Sequence, residues 1–400
     1  MAAENAEVVH VERQGPVALV EIDNPPVNAA GHALRVALTE TVAALDADPE
    51  VEVIALYGAG KSFIAGADIR EFGKPPKDPW LPEVCNTLEL SETPVIAVLP
   101  GVALGGGLEV ALGCHARIAL PGTLVGFPEV TLGILPGAGG TQRAPRLTGI
   151  PAALELIVTG KRIPASEALE LGLIDRITDG EPKEIAQAAA GDVLAGTLET
   201  RRVRDIDTAP DDAALEAKAA ALKQTQAHLF SPHKCVEAVG ASTLPIDDGL
   251  KRERALYDEC IASPQRAGLI HAFFAERAVA KIPEAGTPPR PVNSVGVIGG
   301  GTMGSGIATV ALLAGLPVTL AERDEESLAR GRATIEANLD GAVKRGKIGA
   351  DKREAILADH LKGTIDYANL AGADLIVEAA FEDMAVKREI FGTLDTVAKP

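Results

Sequence analysis

The chain has 400 residues, of which 46% are hydrophobic and 24% charged, and its formal net charge is −18. That length and apolar content imply an ordinary globular chain of two or three domains, and the negative balance argues against nucleic acid or an acidic membrane surface as a partner. No apolar run approaches a membrane span, MAAENAEVVH has neither part of a secretory leader, and four cysteines without CxxC spacing (Cys85, Cys114, Cys235, Cys260) fit a reducing compartment, read as the cytoplasm.

In chain order, VVHVERQGPVALVEID reads as two strands around a Gln14–Gly15 turn. Helical spacing runs from Gly31 to Asp46, and VEVIALYG from Val51 reads as a strand. A Gly-rich loop, GAGKSFIAGADI, follows. Next come helical positions around Leu81–Leu90, the strand PVIAV and a Gly101 turn. The alternation of strand, loop and helix to about Gly149 predicts parallel pairing with helical crossovers. From Pro151 to Leu194 the pattern is mostly helical, with a break at Gly172, and Ala- and charge-rich helices continue to Arg277. KIPEAGTPPRPVN ends all periodicity and reads as an interdomain linker. A new pattern of strand, helix and strand begins at Ser294.

The densest chemistry lies between Pro94 and Arg143. Gly105, Gly106 and Gly107 stand immediately before a helix that carries Glu109, and Glu129 follows Pro128 at the expected end of a strand. Glycine lets backbone approach a ligand closely, and unpaired N–H groups at a helix start stabilise charge developing on an oxygen. Two carboxylates in apolar surroundings beside such a site are equipment for acid/base chemistry on a carbonyl compound. Either glutamate alone reads equally well as a carboxylate complementing a helix dipole.

Residues 61–72, 94–115 and 124–143 resemble the enoyl-CoA hydratase/isomerase (crotonase) superfamily, a likeness that runs from about Val8 to Leu194. The resemblance implies an α/β spiral of ββα units, usually in trimers or tethered equivalents. It also implies an oxyanion hole from the N–H groups of Ala67 and Gly106, with Asp68, Ile69 and Arg70 continuing the CoA-side loop. Arg70 stands where the family often has lysine. Both catalytic carboxylate positions are filled, by Glu109 and Glu129. This implies hydration of a trans-2-enoyl-CoA, with Glu109 polarising water and Glu129 exchanging a proton at Cα. The alternatives are Δ3-Δ2-enoyl-CoA isomerisation and a catalytically silent acyl-CoA or NAD binding module.

Farther on, Gly299, Gly301 and Gly304 have G-x-G-x-x-G spacing between a strand and a helix. Glu322 ends the next strand, at the spacing of a ribose-binding acid, and favours NAD over its 2′-phosphorylated form. This stretch resembles the NAD domain of the 3-hydroxyacyl-CoA dehydrogenases, a truncated Rossmann-type parallel sheet. The match implies that Met303, Ala380, Phe381, Glu382 and Lys387 border the NAD site. GLKRERALYDECIASPQRAGLIHAFFAER is similar to the helical linker of multifunctional β-oxidation enzymes. The expected organisation is a crotonase domain over 1–194, a helical region over 195–280, a Pro-rich linker over 281–293 and an NAD-binding domain over 294–400. That last domain is expected to be incomplete, because the dehydrogenase's catalytic histidine and its partner glutamate have no counterpart here. Hydride transfer is therefore expected only of a longer parent chain. No metal is implied, a thiolase subunit is a possible partner, and oligomeric state is left open. His360, in ADHLKGT, reads as a surface loop residue, and His115 as structural.

Overall fold

The computed structural model describes residues 8–71, 73–75, 77–279, 281–282 and 286–399. Residues 1–7 of the expected first domain, 283–285 of the expected linker and Pro400 lie outside the described residues. The chain divides into two compact units, the first ending at Lys281 and the second beginning at Ile282.

In the first unit, β1 (Val9–Gln14) and β2 (Val17–Ile22) pair antiparallel around Gly15, whose φ of +61° suits glycine. The other strands are β3 (Val53–Gly58), β4 (Val95–Leu99), β5 (Val102–Leu104), β6 (Ala116–Ala119), β7 (Leu124–Gly126), β8 (Arg162–Pro164) and β9 (Arg176–Ile177). One sheet runs β1-β2-β3-β4-β6-β9 and is parallel from β2 onward. A smaller sheet runs β5-β7-β8. The crossovers are α1 (His32–Asp46), α2 (Leu81–Leu90), α3 (Gly106–Gly113), α4 (Gly140–Thr159), α5 (Ala165–Glu170) and α6 (Pro182–Leu194).

Both faces of the main sheet are covered, which is why β3 is apolar throughout rather than alternating. Ile54 and Leu56 face the larger core, together with Leu34, Leu38 and Val42 of α1. Val53, Ala55 and Tyr57 face the opposite way, onto Ile185, Ala186 and Ala189 of α6. Residues 195–279 supply α7 (Asp212–Thr225), α8 (Ser231–Gly240), α9 (Ile246–Ala262) and α10 (Pro264–Ala278), which belong to the same unit.

The second unit has four parallel strands among its described residues: β10 (Val295–Ile298), β11 (Val318–Ala321), β12 (Leu361–Thr364) and β13 (Leu375–Glu378), in the order β12-β11-β10-β13. Its helices are α11 (Thr302–Leu313), α12 (Glu325–Lys344), α13 (Ala350–Ala355) and α14 (Met384–Val397).

Three local expectations are corrected. Glu129 is not at a strand end but in a 3-10 turn, Pro128–Leu132, because Pro128 fixes a helical φ and lacks the N–H a strand would use. Helix α4 starts at Gly140 rather than Pro151; Gly149 (φ 77°, ψ 163°) makes a kink inside it, not a beginning. His360 closes a π-helical turn, Ile356–His360, and its Nδ1 is buried.

Candidate active site

The turn before α3 is fixed by close approaches on three sides. Gly105, at φ +52°, donates its N–H to the Gly126 carbonyl of β7 at 2.8 Å. A Cβ at Gly107 would stand 1.9 Å from the Ile64 carbonyl oxygen, so no other residue fits there. A Cβ at Gly106 would lie 3.4 Å from the Ala67 nitrogen, so these two backbone segments run side by side. Ala67 is itself held in place by a parallel bridge to Ala30.

Ala67, Gly106, Glu109 and Glu129 all line one cavity of about 570 Å³. Glu109 is buried in the first turn of α3. Its Oε1 accepts the Ala138 N–H at 2.7 Å and the Gly140 N–H at 2.8 Å. Burial raises its pKa, and these two amides pull it back toward the ionised form. Glu129 enters from the 3-10 turn, with its Oε1 near the Gly105 α-carbon. Its Oε2 is buried with no hydrogen-bond partner among the described residues. Burial first, and the Glu109 charge second, push its pKa well above the ordinary carboxylate value. The two acids are therefore held unlike: one satisfied by amides, the other bare.

A third acid, itself buried and absent from the sequence expectations, joins them. Glu253 of α9 accepts the Gly139 N–H at 2.7 Å and the Thr141 N–H at 3.1 Å. Burial, and then the neighbouring Glu109, push its pKa up to about 8. Its signal was the buried stripe Gly249, Glu253, Leu256 and Cys260 along α9, in which an acid is out of place.

Of the expected CoA-side residues, Asp68 and Ile69 line the cavity. Arg70 folds back on Asp68, with Nη2 2.8 Å from Oδ2, and is not among the lining residues. Other cations do line it, namely Arg35, Lys74, Lys77, Arg162, Arg254 and Arg277. Arg254 stacks its guanidinium 4.1 Å from the Trp80 ring centroid. An acidic chain thus lines this cavity with several cations. His115 is structural: its Nδ1 accepts the Val95 N–H at 2.8 Å and its Nε2 faces the Glu89 carbonyl at 3.2 Å.

In the second unit the three glycines occupy three different environments. A Cβ at Gly299 (φ +94°) would meet the Ala379 carbonyl at 2.6 Å, and one at Gly304 would meet the Gly299 carbonyl at 1.7 Å. At Gly301, which caps α11, a Cβ would meet nothing within 4 Å. The first and third positions close the turn and seat the helix. The second leaves open space before the helix N–H groups, a cradle that fits a pyrophosphate. Gly300, Gly301 and Glu322 line a cavity of about 440 Å³. Glu322 Oε1 accepts the Gly300 N–H at 2.7 Å, which fixes the acid beside the turn. Met303, Ala380, Phe381, Glu382 and Lys387 are not among that cavity's lining residues. Ala380 nevertheless abuts Gly299, and Met303 and Phe381 are exposed. Lys387 is tied to Glu378 at 2.7 Å and to Glu382 at 3.1 Å.

Comparison with known proteins matches each unit to a family. The enoyl-CoA hydratase/isomerase family matches residues 12–237, and the NAD binding domain of 3-hydroxyacyl-CoA dehydrogenase matches residues 294–400. The peroxisomal bifunctional enzyme of Danio rerio is 41% identical over 393 residues, covering 96% of this chain and 54% of that protein. The human peroxisomal bifunctional enzyme is 39% identical over 396 residues, with the same two coverages of 96% and 54%. A peroxisomal fatty acid beta-oxidation multifunctional protein of Arabidopsis thaliana is 36% identical over 402 residues, covering 96% of this chain and 56% of that protein. The chain thus spans about half the length of the curated relatives it matches. Among solved structures, EchA1_1 from Mycobacterium paratuberculosis is 26% identical with a TM-score of 0.51, over 67% of this chain and 96% of that one. An enoyl-CoA hydratase/isomerase from Pseudoalteromonas atlantica shares the fold at 22% identity and a TM-score of 0.51, over 67% of this chain and 97% of that one. The chain belongs to the enoyl-CoA hydratase/isomerase family, and its residues 294–400 belong to the NAD binding domains of the 3-hydroxyacyl-CoA dehydrogenases.

Proposed function

We propose that the first unit adds water across trans-2-enoyl-CoA thioesters to give 3-hydroxyacyl-CoA, as a step of fatty-acid β-oxidation. The observation that carries this reading is the unlike pair Glu109 and Glu129 in one cavity with the amides of Ala67 and Gly106. The thioester oxygen would accept from those two N–H groups as charge builds toward an enolate. Glu109, kept toward its ionised form by two amides, takes a proton from water as the water oxygen attacks Cβ. Glu129, kept protonated by burial and by the Glu109 charge, gives its proton to Cα. One proton leaves water and one reaches carbon, so the pair ends with its roles exchanged and resets by proton transfer. The lining cations suit the phosphates of CoA.

Loss of the enoyl absorbance of a short trans-2-enoyl-CoA tests the reading. No loss, from folded protein that binds CoA, would overturn it. Isomerisation of a 3-enoyl-CoA is a second reading, because Glu129 and the two amides alone suffice to move a proton between carbons. Parallel assays on 2-enoyl and 3-enoyl substrates separate the two.

The second unit is proposed to bind NAD with Gly299, Gly301 and Gly304 at the pyrophosphate and Glu322 at the ribose. When bound, NAD supplies a hydride acceptor for oxidation of a 3-hydroxyacyl thioester. Residues 1–194 with the helices that follow would form the hydratase, and 294–400 the nucleotide domain. A thiolase-class partner would be useful only where the 3-keto thioester is also made, since thiolysis consumes that compound. The relatives are peroxisomal by name, and the free, buried Cys85, Cys114, Cys235 and Cys260 are compatible with any reducing compartment. No described helix is long and apolar enough to cross a membrane.

A further inference from the structure

We propose that Glu253 is a positioning residue of the hydratase centre: from α9 it holds alternate amides of the turn Ala138–Thr141 and so fixes where Glu109 points. This rests on the hydratase reading above. Four consecutive N–H groups in that turn are shared between two carboxylates. Those of Ala138 and Gly140 go to Glu109, and those of Gly139 and Thr141 go to Glu253. The backbone carbonyl of Ala138 is held as well, by Arg143 Nη1 at 3.0 Å. Glu109 therefore takes its orientation from a turn that Glu253 clamps on the opposite side.

Several observations separate Glu253 from an ordinary buried acid. It is 2% exposed, yet both oxygens have donors. The Thr141 hydroxyl also donates to it, while accepting from Gln142 Nε2 at 2.8 Å, so the hydroxyl proton is committed toward Glu253. It is not among the residues lining the reaction cavity, although its neighbours Arg254 and Tyr257 are, so it acts through the turn rather than on substrate. The contact is tight: a Cβ at Gly137 would stand 2.6 Å from the Tyr257 ring. Glu253 also lies beyond residue 237, where the match to the hydratase family ends. The centre thus depends on a helix outside the matched region.

Above its pKa of about 8, Glu253 also adds a negative charge behind the pair. Glu109 from α3, Glu129 from the 3-10 turn and Arg143 from α4 are the charged groups that act with it. On the flank formed by α8 and α9, Lys234 pairs with Glu237 and Glu259, and Arg252 with Glu237. Helix α10 brings Arg266 against Gly133 and within reach of Tyr257. Removing the Glu253 charge favours the ionised forms of Glu109 and Glu129, so the kcat profile changes where Glu253 ionises, near pH 8, and its acid limb stays in place.

The test is Glu253→Gln in the full chain, with folding checked by circular dichroism and hydration of a short trans-2-enoyl-CoA followed across pH. The expected result is a fall in kcat of about tenfold to a hundredfold, KM changed much less, and loss of the inflection that the parent's kcat profile shows near pH 8. A merely structural role would leave that inflection in place. Thr141→Val should lose part of kcat, and Thr141→Ser, which keeps the hydroxyl, should recover most of that loss. This pair decides the matter if Glu253→Gln does not fold. A parent chain that hydrates while Glu253→Gln, or Thr141→Val in its place, matches it in kcat and pH profile overturns this inference alone. A parent chain that binds CoA and does not hydrate overturns the hydratase reading, and this inference with it.

Discussion

Two carboxylates in one water-poor cavity do not both carry charge at neutral pH, so the useful distinction is which one keeps its proton. At Glu109 two amides stabilise the anion, and at Glu129 the buried Oε2 has no donor. Replacing Glu129 by Gln removes the only group placed to protonate Cα in this scheme. It should lower kcat by at least about a hundredfold with little change in CoA affinity, measured by enoyl absorbance and by calorimetry. Glu109→Gln should lower kcat as far, and should also disturb the turn, since an amide nitrogen would face the Ala138 and Gly140 N–H groups if the side chain flips. Both carboxylates were legible in the sequence, because acids in Gly-bounded apolar segments stand out. Glu253 was not read from the sequence. Its partners Gly139 and Thr141 lie more than a hundred residues away in the chain, and KRERALYDE looks like a solvated helix until its buried stripe is known.

At the scale of elements, glycine positions separate shape from binding. Gly304 meets the Gly299 carbonyl, whereas Gly301 faces open space. Gly304→Ala should therefore destabilise the second unit by about 1–3 kcal/mol, seen as a lower melting temperature without ligand. Gly301→Ala should leave that melting temperature nearly unchanged and weaken NAD, read as a smaller thermal shift on adding the nucleotide. Equal effects of the two substitutions would contradict the assignment. Most elements near both sites were predictable for the same reason that these glycines are informative. Helix α2 falls at Leu81–Leu90 as its spacing implies, and β10 precedes the glycine turn. Backbone punctuation is ambiguous at two places. Pro128 looked like the end of a strand and starts a 3-10 turn, and Gly149 with Pro151 looked like a helix start and is a kink. The spacing of charges likewise could not show that Arg70 turns back on Asp68.

For the molecule as a whole, the three glutamates of the site, Glu109, Glu129 and Glu253, tie stability to pH. Each has a pKa raised in the fold above its ordinary 4.5, to about 8 for Glu253. A raised acid binds more protons folded than unfolded, so its contribution to stability is complete below about 4.5 and is lost as pH rises through the folded value. The melting temperature should therefore fall between about pH 5 and 9, and Glu129→Gln should flatten that fall. A steeper fall in the variant would contradict the raised pKa. The same acids are the source of the proposed activity, so the strain on stability and the chemistry share one origin.

The most direct measurement of the central claim is hydration of a short trans-2-enoyl-CoA by the full chain, compared with its Glu129→Gln variant under the same conditions. The account predicts rapid loss of enoyl absorbance by the parent, formation of the 3-hydroxyacyl-CoA, and near-complete loss of the rate in a variant that still binds CoA. A parent that binds CoA without turnover, or a variant that hydrates as fast as the parent, would contradict it.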